Sequence, residues 1–86
     1  MSTLLHVGNL PVSATEELLA AKFRQFGPVV SARISRDPTG RSLRSGFIEM
    51  GTAAGARAAI ARLNLADFDG RLMSVYVAPA TASRIQ

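Results

Sequence analysis

Leu43-Arg44-Ser45-Gly46-Phe47-Ile48-Glu49-Met50 contains a strand from Ser45 to Met50 whose two faces differ in character. Gly46, Ile48 and Met50 fall on one face, and Ser45, Phe47 and Glu49 on the other, because successive side chains of a strand point to opposite sides. The first face suits a core. The second sets a large ring among polar residues, where it gains little from burial unless something lies on it. Immediately before it, Arg41-Ser42-Leu43-Arg44 reads as a basic loop, preceded by the type I turn Asp37-Pro38-Thr39-Gly40. Val29 to Arg36 is then the preceding strand, with Ala32 and Ile34 pointing one way and Arg33 and Ser35 the other.

The outer elements follow the same logic. Leu4 to Asn9 is a short strand closed by the breaker Leu10-Pro11. Thr15 caps a helix whose first turn carries Glu16 and Glu17, whose inward side holds Leu19, Phe23 and Phe26, and which ends at Gly27-Pro28. Thr52 caps a second helix with Ala56, Ala59, Ile60 and Leu63 inward. Asn64 to Gly70 is a loop. Leu72 to Val77 is the last strand, with Met73, Val75 and Val77 inward and Leu72, Ser74 and Tyr76 outward. The order strand, helix, strand, strand, helix, strand predicts an α+β, ferredoxin-like βαββαβ sandwich. Its four-stranded antiparallel sheet carries both helices on one face, leaving the other open. The expected domain covers residues 3–79, and residues 80–86 form a flexible C-terminal tail with nothing to bury.

Composition narrows the chemistry. At 86 residues there is room for one small core, and no cysteine is available for a disulfide, a thiolate nucleophile or a zinc cage. The single histidine, His6, lies on a strand with no acid at a telling spacing, so a serine nucleophile lacks its base and no enzyme is expected. Asp67-Phe68-Asp69-Gly70 starts like a calcium loop but lacks the later ligands and closing glutamate. Gly40 to Gly46 lacks the lysine of a phosphate loop, and no cofactor or metal is expected. Ten basic residues against six acidic ones, a net charge of +4, favour a polyanionic partner. All the basic residues but Lys22 are arginines, whose planar fork grips phosphate and stacks on bases. No apolar run approaches the roughly 20 residues of a membrane helix, and a cytoplasmic monomer is expected.

Leu5-His-Val-Gly-Asn-Leu10 and Leu43-Arg-Ser-Gly-Phe-Ile-Glu-Met50 together resemble the two short signatures of the RNA recognition motif family, and the resemblance runs from about Thr3 to Ala78. The first hexamer has His6 in its aromatic place. The second keeps Gly46-Phe47-Ile48 but has Leu43 for a basic residue, Arg44 for glycine and Ser45 for the first aromatic. The resemblance implies that Phe47 and His6 each stack a base, while Ser45 stands where a ring would pack between sugars.

The open face displays His6, Arg33, Ser45, Phe47, Glu49, Ser74 and Tyr76, with Arg41 and Arg44 in the adjoining loop and Asn9 at the end of the first strand. The expected function is binding of single-stranded RNA, and of single-stranded DNA by the same means. Phe47, His6 and Tyr76 would stack, the arginines would hold phosphates or base edges, and specificity would be broad. The alternative is a protein-interaction module that keeps the fold and has lost the platform. Ala53, Ala54, Ala58 and Ala61 on the second helix would then be its docking face.

Overall fold

In the computed structural model, residues 2–78 are described. Pro79, the expected last residue of the domain, and the expected tail 80–86 lie outside them.

Local sequence accounts for both helices. In α1 (Glu16–Arg24) the Thr15 hydroxyl accepts the Leu18 N–H at 3.2 Å, while Glu16 and Glu17 occupy the positive end of the helix dipole and Lys22 and Arg24 the negative end. The helix ends before the expected Gly27-Pro28, and Phe26 packs partly buried against the core from the following turn. In α2 (Ala53–Leu63) the Thr52 hydroxyl accepts from Gly55 at 3.0 Å. Gly55 is small for a reason, because a Cβ there would lie 2.9 Å from the Phe26 carbonyl, so α2 begins in close contact with the turn after α1.

The strands β1 (Thr3–Gly8), β2 (Val29–Arg36), β3 (Ser42–Met50) and β6 (Ser74–Val77) form one antiparallel sheet in the order β2-β3-β1-β6. Their buried faces contribute Leu5, Val7, Ile34, Ile48, Met50 and Val75, which pack against Leu19 and Phe23 of α1 and Ala56, Ala59 and Leu63 of α2. This is the expected ferredoxin-like sandwich. Full burial of a leucine or phenylalanine side chain in such a core stabilises by about 1.5–3 kcal/mol. At Gly46 a Cβ would collide with the Arg33 carbonyl, so the β2–β3 pairing depends on glycine there.

Three expectations need correction. First, β3 starts at Ser42, so most of the expected basic loop belongs to the strand. Arg44 sits in it with φ 62°, and its carbonyl accepts the Leu10 N–H at 2.9 Å, which extends the contact with the first strand beyond Gly8. Leu10, expected as a breaker, is fully buried in the core.

Second, the expected loop Asn64 to Gly70 and the start of the last strand form a separate hairpin of β4 (Asp67–Phe68) and β5 (Arg71–Leu72). Asp69 and Gly70 both have positive φ, 52° and 91°, as a two-residue hairpin turn requires, and Asp-Gly is a strong sequence signal for it. Phe68 is buried, and Lys22 Nζ lies 4.6 Å from its ring centre.

Third, Val77 was expected inward with Met73 and Val75 but is exposed, because it ends β6 beyond the core cluster that covers Val75.

Candidate nucleic-acid interface

The register of the sheet builds the open face. His6 on β1 pairs with Phe47 on β3 and with Tyr76 on β6, and Phe47 pairs in turn with Arg33 on β2. Arg33, Phe47, His6 and Tyr76 therefore form one row across all four strands. The His6 and Phe47 ring centres are 5.3 Å apart at 78°, edge to face, and the His6 and Tyr76 centres are 4.9 Å apart at 35°. Such contacts hold the rings in place before any ligand arrives. Tyr76 is 49% exposed, whereas Phe47 and His6 are half-buried. Burial lowers the His6 pKa, and its Nδ1 atom is covered without a hydrogen-bond partner, so the neutral imidazole is favoured.

The other expected residues divide by position. Ser45 is half-buried on the same face of β3, and Ser74 pairs with Gly8 one step from the row. A Cβ at Gly8 would lie 2.8 Å from Ser74 Oγ, so glycine keeps the floor between His6 and Ser74 low. Glu49 is half-buried and accepts the Ser31 hydroxyl at 3.4 Å. Arg33 and Arg44 are exposed. Arg44 is held in its left-handed conformation with its N–H on Ser42 Oγ at 3.0 Å, and left-handed backbone is where the family's glycine would be favoured.

Arg41 lies in the β2–β3 turn, outside the row, with an exposed side chain. Its N–H donates to the Asp37 carboxylate at 2.9 Å, and that carboxylate also accepts the Thr39 hydroxyl at 2.7 Å. The Thr39 hydroxyl and the Arg41 and Thr39 N–H groups hold the Asp37 carboxyl below its usual pKa, so the turn that presents Arg41 is tied at neutral pH. Asn9 is committed to the fold. Its amide donates to the Leu72 carbonyl at 2.6 Å and accepts from Arg71 at 2.5 Å, strapping the β4–β5 hairpin to the end of β1.

Three surface residues outside the expected set, Ser2, Leu4 and Ser31, line with Ala32, Arg33, Phe47 and Glu49 a depression beside the Phe47 ring. Ser31 shares strand parity with Arg33 and was therefore legible. Leu4 likewise shares parity with His6 on β1, and its pairing with Glu49 sets it at the depression.

A ferredoxin-like sandwich with a bare sheet face carrying three rings in contact is the architecture of a nucleic-acid-binding sheet. The chain belongs to the RNA recognition motif family, whose model matches residues 5–74. It is 39% identical over 79 residues to glycine-rich RNA-binding protein 1 of Mycosarcoma maydis, covering 91% of this chain and 45% of that protein. The chain thus spans less than half the length of that relative. Among solved structures, RNA binding protein PG1 superposes with a TM-score of 0.86 at 42% identity, covering 88% of this chain and 93% of that one. A Sxl-lethal protein/RNA complex gives a TM-score of 0.86 at 32% identity, covering 92% and 48%.

Proposed function

We propose that this domain binds single-stranded RNA across the open face of its sheet. The observation that carries the reading is the unbroken row of Arg33, Phe47, His6 and Tyr76, held by register and by ring contacts. Bases stack on the three rings and contribute about 1 to 3 kcal/mol each, while Arg33, Arg41 and Arg44 meet phosphates or base edges. Ser45 and Ser74 border the row and offer hydroxyls to sugars or phosphates. The domain acts by holding a strand and performs no reaction.

Stacking needs only a base face, so single-stranded DNA binds by the same rings. A monomer in the cytoplasm completes the proposal. The other reading, protein docking on Ala53, Ala54, Ala58 and Ala61, rests on their exposure and on a groove that Ala58 and Ala61 line with Gln25 and Phe26. Backbone amide shifts followed during titration with a short RNA separate the two. Perturbations centred on His6, Phe47 and Tyr76 are expected, and a response confined to α2 would reject the platform.

A further inference from the structure

Glu49 is out of place on a surface meant for a polyanion. Its carboxylate repels phosphate and can only accept hydrogen bonds, and the one it receives, from Ser31, is long at 3.4 Å. Arg33 stands on the neighbouring strand, paired with Phe47, while Glu49 is two residues along from Phe47 on the same face. The two charges are therefore diagonal neighbours across the depression beside the ring, a separation of roughly 7 to 8 Å between backbones. They do not pair with each other. Among the described residues the only ion pair joins Arg36 and Glu16 at 3.5 Å, so the guanidinium and the carboxylate both face the depression without an opposite charge.

A base resting against Phe47 would meet an acceptor-only group on one side and a donor-only group on the other. Uracil offers one ring N–H flanked by two carbonyls that a carboxylate repels. Adenine and cytosine each offer a single amino group. Guanine alone presents two adjacent donors, N1–H and the N2 amino group, which match the two oxygens of a carboxylate, and two adjacent acceptors, O6 and N7, which match the fork of an arginine. We propose that the depression lined by Leu4, Ser31, Arg33, Phe47 and Glu49 is a guanine-selective subsite. The base lies on Phe47, Glu49 accepts from N1 and N2, and Arg33 donates to O6 and N7. The subsite rests on the RNA-binding reading and adds a preference at one position of an otherwise tolerant platform.

The test is fluorescence anisotropy with seven-nucleotide RNAs of uridine carrying a central guanosine, adenosine, cytidine, uridine or inosine. The guanosine oligomer is expected to bind about tenfold more tightly than the uridine one, with inosine, which lacks the N2 amino group, in between. Glu49→Gln should weaken the guanosine complex and leave the uridine complex unchanged or tighter, collapsing the preference. Arg33→Gln should weaken both and reduce the preference. Equal affinity for all five oligomers, with Phe47→Ala still weakening every one, would remove the subsite and leave the platform standing. A Glu49→Gln protein that binds every oligomer more tightly by the same factor would make Glu49 a repulsive charge only. Absence of binding to any oligomer would overturn the RNA reading and the subsite together.

Discussion

His6 meets Phe47 edge to face, with ring centres 5.3 Å apart and planes at 78°, and the same imidazole lies against Tyr76 on its other side. The histidine is thus the hinge of the aromatic row. Because Phe47 is half-buried on the open face and is not part of the core, Phe47→Ala should weaken RNA binding by about 1 to 3 kcal/mol while lowering stability by no more than about 1 kcal/mol. Phe23→Ala should do the reverse, since its fully buried ring leaves a cavity that costs about 3 to 5 kcal/mol. Anisotropy and urea denaturation measured on both variants check the pair, and a Phe47→Ala protein that unfolds would contradict the outward parity.

Tyr76 extends the row onto the edge strand, beyond the reach of a dinucleotide seated on Phe47 and His6. Tyr76→Ala is expected to weaken longer oligomers by about 1 kcal/mol or more and dinucleotides much less. Ser45→Phe should strengthen both by supplying a ring at the sugar position. Equal losses for short and long ligands in the tyrosine variant would place Tyr76 outside the binding track.

Arg41 in the β2–β3 turn and Arg44 near the start of β3 both carry exposed side chains that extend the positive surface. Binding should fall with salt by about 0.7 logarithmic units per phosphate neutralised, and Arg41→Ala with Arg44→Ala should flatten that slope by one to two such steps. Affinity titrations at four salt concentrations suffice, and an unchanged slope would take both arginines out of the site.

Acid should loosen the fold through three groups with lowered pKa values, the carboxyls of Glu16 and Asp37 and the imidazole of His6. Hydrogen bonds from its own N–H and from Ile34, the latter at 3.2 Å, hold the Glu16 carboxyl below its usual pKa, aided by Arg36. Its contribution is complete above the ordinary carboxylate range and is lost as pH falls through the depressed value. Burial lowers the pKa of His6, so the unfolded chain takes up its proton first, and stability declines as pH drops below the ordinary histidine value. Thermal melting from pH 7 down to pH 3 should show an upper loss that His6→Phe removes and a lower one that Glu16→Gln reduces and Glu16→Gln with Asp37→Asn removes.

Asn9 uses both ends of its amide to hold the β4–β5 hairpin. Asn9→Ala should therefore cost about 1 to 2 kcal/mol of stability. Hydrogen exchange should show the loss concentrated at Asp67–Leu72, and uniform acceleration across the sheet would argue against a local strap.

The caps at Thr15 and Thr52, the element order and the outward face of β3 were all legible in the sequence, because each depends on residues within a few positions of one another. Parity alone turned Phe47 and Tyr76 away from the core. The Asp69-Gly70 turn is equally local, since Asp-Gly with positive φ at both residues is itself a hairpin signal. What the tertiary structure decided is register. Only the pairing of strands distant in sequence sets His6 between Phe47 and Tyr76, brings the Asn9 amide to Leu72 and Arg71, and gathers Leu4, Ser31, Arg33 and Glu49 around one depression. A one-residue slip would preserve every local signal and scatter that group, since alternation is a property of each strand and register is a property of their packing.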